Sequence, residues 1–221
     1  MSKKPFFSVI VPAHNAEEFI EKGLHSIKYQ AFTDYELIVV CDNCTDRTAE
    51  IAAGYADKVI VTDYGLDGLA RNAGIEAAEG KWILFMDHDD WWLHECAFQI
   101  LADFIKAVTH PILGADQPLD VVLFNFIWKN FGDPPTPRYI QQVVRRYIAV
   151  WNKCWRREFI GDTRFPAKPH WSDVDFNRDM FDKMPVVASM DHALYYYNYL
   201  KPGSISWRAE QGEIEKYKGE V

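Results

Sequence analysis

Along the first half of the chain, short unbroken apolar runs alternate with stretches whose apolar residues recur every three to four positions. Residues 6–11 form the first run, as expected for a strand covered on both faces. Asn15 then reads as a helix N-cap, with Glu18 three residues on in a capping-box position. Ile20, Leu24 and Ile27 carry that helix to about Gln30. Residues 37–41 form a second strand, the polar turn 42–46 leads into a helix through Ile51 and Ala53, and residues 58–61 form a third strand. A loop from Gly65 to Gly68 opens a small-residue helix containing Ala70, Ala73 and Ala77, with Gly80 as its closing C′ residue. Residues 82–86 make a fourth strand that ends on an acidic cluster, and an amphipathic helix over 93–108 follows.

The second half is less regular. Residues 120–128 read as a buried strand, and 129–137, with three prolines and a glycine, as a mobile loop. Residues 147–159 and 172–184 look helical, and 193–199 look like a strand. Strands regularly separated by helices predict an α/β fold: a doubly wound, mostly parallel sheet flanked by helices. Neither an internal repeat nor a clean boundary interrupts it, so 1–221 reads as a single domain. In such sheets ligands sit beyond the carboxyl ends of the strands. Residues 12–15, Asp42 and Asp87 each fall just past a strand end, so they converge on one crevice whatever the strand order.

Composition narrows the setting. With 48% hydrophobic and 15% aromatic residues, the 221-residue chain can bury a proper core. A net charge of −8 argues against nonspecific binding to nucleic acid or anionic membrane. That charge is uneven: between Arg138 and Lys168 eight Lys or Arg stand against Glu158 and Asp162, a balance of +6 that leaves −14 for the rest. The basic stretch suits either an anionic ligand or a solvated helix face. No run approaches the roughly 18 apolar residues of a membrane helix, and the N-terminus lacks a signal-peptide core. Four cysteines in such a chain suggest reduced thiols and a cytoplasmic setting. Cys41 and Cys44 match C-x-x-C without a second pair, and read as two buried small residues rather than a redox or zinc motif.

The acidic cluster carries the chemistry. Asp87, Asp89 and Asp90 crowd negative charge beside apolar core, a costly arrangement without a cation. All-oxygen ligation suits Mg²⁺ or Mn²⁺, which complete their shells with substrate phosphates. Asp90 also reads as a cap for the helix that follows, and His88 as an outward-pointing spacer.

Six segments in order resemble family 2 glycosyltransferases, inverting enzymes with the Rossmann-like GT-A fold. They are Ser8-Val-Ile-Val-Pro-Ala-His-Asn15, Glu36-Leu-Ile-Val-Val-Cys-Asp42 with Thr45, Asp46 and Thr48, Gly68-Leu-Ala-Arg-Asn-Ala-Gly74, Phe85-Met-Asp-His-Asp-Asp90, Trp151-Asn-Lys-Cys-Trp-Arg-Arg-Glu158, and Pro202-Gly-Ser-Ile-Ser206. Ser172-Asp173 falls where relatives carry Glu-Asp, and the likeness spans about 6–206. It implies a nucleotide-sugar-binding half over about 1–110 and an acceptor-binding half over about 111–221. Pro12, Ala13, Asn15, Asp42, Arg71, Asp87 and Lys201 would hold a nucleotide-sugar donor, expected to be a UDP-sugar, with Asp42 on the uracil N3–H. Asp89, with Asp87, would ligate Mn²⁺ or Mg²⁺ across the diphosphate. Asp173 would be the general base that deprotonates the hydroxyl of a glycan or lipid-linked acceptor. Trp171 is the implied acceptor contact, within an aromatic group that includes Trp151 and Trp155. The implied setting is cell-surface polysaccharide synthesis in the cytoplasm, compatible with peripheral membrane association.

Each role has a plainer alternative. Asp42 could cap the next helix, Asp173 could serve its own helix N-terminus with Asp175 as a rival, and Arg71 and Lys201 could be solvated charges. The chain also departs from the family pattern. Ser172 replaces the usual Glu, so support for Asp173 is missing or rebuilt, Cys44 stands where many relatives carry Ser, and Lys201 stands where some carry a metal-touching histidine. Those departures keep a catalytically silent carbohydrate-binding module of the same fold in view. A sugar nucleotidyltransferase is disfavoured, because Pro12-Ala-His-Asn15 has no glycine to cradle a triphosphate.

Overall fold

The computed structural model describes residues 3–109, 118–130, 139–141, 149–199 and 202–215. Four parallel strands form its first half: β1 (Phe7–Ala13), β2 (Tyr35–Asp42), β3 (Lys58–Thr62) and β4 (Trp82–Phe85). Between them run α1 (Ile20–Lys28), α2 (Thr48–Ala53) and α3 (Asp67–Ala77). The two-residue strand β5 (Trp91–Trp92) and α4 (Ala97–Val108) follow. The second half holds β6 (Val121–Asn130), β7 (Tyr139–Gln141), β8 (Lys153–Arg156), α5 (Arg157–Ile160), α6 (Ser172–Asp182), β9 (Val187–Tyr199) and α7 (Ile205–Glu210).

The strands make one mixed sheet ordered β3-β2-β1-β4-β8-β6-β9-β5, with β7 pairing on β6. Most strands share a direction, while β8 enters antiparallel between β4 and β6, and β5 and β7 are antiparallel to their neighbours. Successive side chains alternate between two buried layers, as a pleated strand requires. Val9 and Val11 of β1, Leu84 of β4 and Cys154 of β8 join one layer with Leu24, Phe98 and Leu101. Ile10, Ile83, Phe85 and Trp155 join the other with Ala70, Phe176 and Met180. Helices α1 and α4 thus cover one face, and α3 and α6 the other.

Several boundaries differ from the pattern-based expectation. Asn15 is not an N-cap: it is left-handed at φ 43°, and α1 begins only at Ile20, after a turn anchored on the Ala16 carbonyl. Gly80 is not a left-handed C′ residue, because α3 ends in extended backbone at Ala78. Gly80 is required by close approach: a Cβ there would lie 2.5 Å from both the backbone nitrogen and Oγ of Ser8. The helix expected from 93 starts at Ala97, since Trp91 and Trp92 extend to pair with Tyr196 and Tyr195. The helix expected over 147–159 is, from Lys153, a strand followed by one short helical turn. Cys154 and Trp155 point into opposite core layers, a period of two that the flanking charges masked. Within 129–137, the first two residues belong to β6 and the rest lie outside the described residues.

Candidate active site

The carboxyl ends of β1, β2 and β4 open into a cavity of about 670 Å³ lined by Pro12, Ala13, Asn15, Asp42, Arg71, Asp87 and Asp89. Tyr197, Asn198 and the segment 202–206 close it from the second half of the chain. Lys201 lies outside the described residues. Left-handed Asn15 turns the chain at the end of β1, so that its side-chain oxygen accepts the Thr45 N–H at 2.8 Å. His14 Nδ1 lies 2.8 Å from the Asp42 carbonyl, tying the β1 and β2 ends together.

The buried Asp42 carboxylate accepts the Thr62 hydroxyl at 2.8 Å and the N–H groups of Tyr64 at 2.7 Å and Leu66 at 3.0 Å. It therefore does not cap α2. Asp46 serves that end, accepting the Thr48 N–H at 3.0 Å. Asp42 thereby holds the 62–66 segment beside the cavity, and its three donors leave one acceptor site, on Oδ2.

Arg71 is not a surface charge: its side chain is 7% exposed and bridges two carboxylates. Nη1 donates to Asp67 Oδ2 at 2.5 Å and Nη2 to Asp87 Oδ1 at 2.8 Å. Burial disfavours its charge, but Asp67, Asp87 and Asp173 outweigh that and hold the guanidinium firmly protonated. Burial pushes the Asp87 carboxyl above the usual range, Arg71 draws it down, and neighbouring Asp89 pushes it up again.

Asp90 is likewise not a helix cap, since α4 starts seven residues later, at Ala97, with Cys96 at its N-cap position and no side-chain cap. Its carboxylate accepts the Tyr195 hydroxyl at 2.7 Å and the Asn198 N–H at 2.8 Å. Burial, then Asp89 and Asp87, raise its pKa well above normal. The Tyr195 oxygen in turn accepts the Asp87 N–H at 3.1 Å. The acidic turn is thereby stapled to β9.

A second cavity of about 120 Å³ adjoins the first, and Asp67, Arg71 and Asp87 line both. Asp173, Trp171 and Trp151 line the smaller one. Asp173 is the second residue of α6, and Trp171 before the helix is left-handed at φ 61°. Burial pushes the Asp173 carboxyl up to about 6; Arg71 draws it down, while Asp67 and Asp87 raise it further. Asp175, the rival carboxylate, pairs with Lys168 and Arg178 and lines neither cavity. Trp155 sits in the core layer with Phe176 and Phe181, away from both cavities. Trp151 stacks on Tyr195 at 4.8 Å between centroids, and Trp171 Nε1 donates to the Glu215 carbonyl at 3.3 Å.

Asp67 was missed by sequence reasoning, although its i,i+4 spacing to Arg71 on a helix was a usable signal. It accepts the Ser172 hydroxyl at 3.2 Å, so a Ser–Asp contact stands at the position of the missing Glu. Gly68 permits that approach of α3 to α6, as a Cβ there would lie 3.0 Å from Ser172 Cβ. Tyr195 and Tyr197 were also missed; only the long-range pairing of β9 brings them to the site. Among the described residues no three His, Cys, Asp or Glu side chains cluster as a preformed metal cage. Asp87 and Asp89 offer two carboxylates, which suits an ion that takes its remaining ligands from phosphates and water.

A mixed α/β sheet with this cavity at its strand ends is the architecture of GT-A glycosyltransferases. Residues 8–177 match the sequence profile of Glycosyl transferase family 2, and the chain belongs to that family. It is 32% identical to the uncharacterized glycosyltransferase EpsJ of Bacillus subtilis over a 225-residue alignment covering 87% of this chain. The chain spans 61% of EpsJ's length. Staphylococcus aureus TarS 1–349, in complex with UDP-GlcNAc, superposes with a TM-score of 0.74 at 26% identity, over 90% of this chain and 59% of TarS 1–349. The mannosyltransferase PcManGT of Pyrobaculum calidifontis, in complex with GDP-Man and Mn²⁺, shares the fold (TM-score 0.67, 17% identity, 96% of this chain and 62% of that one).

Proposed function

We propose that this chain transfers a sugar from a UDP-sugar to a hydroxyl of a glycan or lipid-linked acceptor, with inversion, in a single displacement. The observation that carries the reading is the pair of adjoining cavities sharing the Asp67–Arg71–Asp87 wall. The larger suits a nucleotide diphosphate, with Pro12, Ala13, Asn15 and Asp42 towards the nucleoside and Asp87 and Asp89 towards the diphosphate. The smaller suits the acceptor, with Trp171 as an apolar face and Asp173 as the base. The donor half is then about 1–110 and the acceptor half about 111–221, although Tyr197, Asn198 and 202–206 reach across into the donor cavity. The UDP-GlcNAc complex of TarS supports a uridine donor.

Asp89 and Asp87 would hold Mn²⁺ or Mg²⁺. That fit rests on Asp87, whose half-buried carboxyl is pushed up partly by Asp89, a repulsion that a shared cation relieves. When bound, the ion offsets charge developing on the departing nucleoside diphosphate. The protein supplies the rest. Arg71 fixes Asp87 and Asp67 in place, and Asp173 takes the acceptor proton as its oxygen attacks. A carboxyl drawn up to about 6 is a better-matched base near neutral pH than an ordinary one. Cytoplasmic action, with peripheral access to lipid-linked acceptors, accords with four unpaired cysteines. No described helix is long and apolar enough to cross a membrane.

The test is turnover across a UDP-sugar panel with Mn²⁺. The expected result is activity with one donor, lost in Asp173→Asn while UDP still binds. Turnover by Asp173→Asn, or metal-dependent UDP binding undiminished by Asp89→Ala, overturns the reading.

A further inference from the structure

Lys153 opens β8 with no exposed surface, an expensive place for an ammonium group. Its Nζ donates to the Ala149 carbonyl at 2.5 Å and to Asn152 Oδ1 at 2.8 Å. Asn177 Nδ2 donates to the same Ala149 carbonyl at 3.1 Å. Asn177 lies one helical turn beyond Asp173 on α6, and Ala149 and Asp173 both line the smaller cavity. One carbonyl thus joins β8, the segment 149–152 and the base-bearing helix. A Leu or Met would fill the same slot without the desolvation cost, so fold stability alone does not explain a lysine there.

We propose that Lys153 is a positioning residue for Asp173: it ties the 149–152 segment to α6 and supplies, from the β8 side, a buried positive charge that favours the ionised base. The inference rests on Asp173 being the base. Among the described residues, Arg71 and Asp67 from α3 and Asp87 from the end of β4 act on Asp173, and the Asp173 charge in turn acts on Lys153 from β8. Burial draws the Lys153 ammonium down and the Asp173 charge partly offsets that, leaving it at about 7. With the Asp173 carboxyl near 6, the two groups titrate close together and each sets the other's proton occupancy.

The experiment is the pH profile of kcat in Lys153→Met, at saturating donor and Mn²⁺, with UDP binding measured in parallel. We expect donor Kd to stay within about twofold, because Lys153 lines neither cavity. The acid limb of kcat moves up by about one pH unit, lowering kcat up to about tenfold on its acid side. Asn177→Leu, which removes a hydrogen bond but no charge, leaves the limb in place, and Lys153→Arg does the same. A reciprocal measurement leaves Lys153 itself untouched: in Asp173→Asn, the NMR titration of the Lys153 Cε and Nζ moves to lower pH than in the wild type. An unmoved limb in folded Lys153→Met, with Asp173→Asn inactive, overturns the inference alone. So does an identical Lys153 titration in wild type and Asp173→Asn. Turnover by Asp173→Asn overturns the base assignment, and this inference with it.

Discussion

Replacing Asp173 by Asn should abolish transfer and, at neutral pH, stabilise the fold. The Asp173 carboxyl, ordinarily near 3.8, is held at about 6 by burial and by Asp67 and Asp87, against the pull of Arg71. That displacement corresponds to about 3 kcal/mol of disfavoured ionisation; partial exposure of Asp173 reduces the expectation to about 1–3 kcal/mol. The sign follows from proton occupancy. Between the usual carboxylate value and about 6, the folded protein retains a proton that the unfolded chain has released. Wild-type stability therefore falls as pH rises through that window, whereas Asn carries no such dependence. The variant should match the wild type near pH 4 and exceed it above pH 7, by about 2–4 °C in Tm per kcal/mol for a chain of this size. Thermal unfolding without metal at pH 4, 6 and 8, beside UDP-sugar turnover, reads both effects. A variant less stable than wild type at pH 8, or equally displaced at every pH, would refute the electrostatic reasoning.

Asp89→Ala should weaken UDP binding at least about tenfold in Mn²⁺ and leave metal-free binding unchanged, as titration calorimetry would read. Asp90→Ala should lower stability by about 1–3 kcal/mol, because the Tyr195 hydroxyl and Asn198 N–H lose their acceptor. Denaturant unfolding with an unchanged m-value checks that figure. Gly80→Ala should cost about 1–3 kcal/mol through collision with Ser8, and an undiminished Tm would contradict the contact. Trp171→Gly relieves the left-handed strain at that position while removing the apolar face, so acceptor KM should rise with donor Kd unchanged.

The parallel half was legible because β1, β2 and β4 are buried on both faces and read as unbroken apolar runs, and helix period separates them cleanly. Convergence of Pro12, Asn15, Asp42 and Asp87 followed from topology alone, and all four line one cavity. What escaped was set by long-range pairing. Lys153-Cys-Trp-Arg156 carries two charges in four residues and shows no clean period, yet the sheet claims it as a strand between β4 and β6. Lys153 is buried there by its surroundings, which local sequence cannot express. Asp67 sat in an expected loop and was passed over, because its value lies in Arg71 and in Ser172, 105 residues away.

The acidic turn illustrates how three like residues acquire unlike chemistry. Asp90 has both oxygens committed to β9, and Asp87 has one committed to Arg71, while half-exposed Asp89 lines the larger cavity. Asp90 therefore keeps less ligand capacity than Asp87, although nothing in the tetrapeptide itself ranks them. The same bonds do mechanical work. Asp90 holds Tyr195 and Asn198, and the chain beyond them, 202–206, forms the far wall of the larger cavity. Tyr197, between those two anchors, lines both cavities. One buried carboxylate thus sets the distance between the turn that would hold the diphosphate and the strand that closes over it. The acidic residue with both oxygens committed is the one that keeps the turn in register with β9.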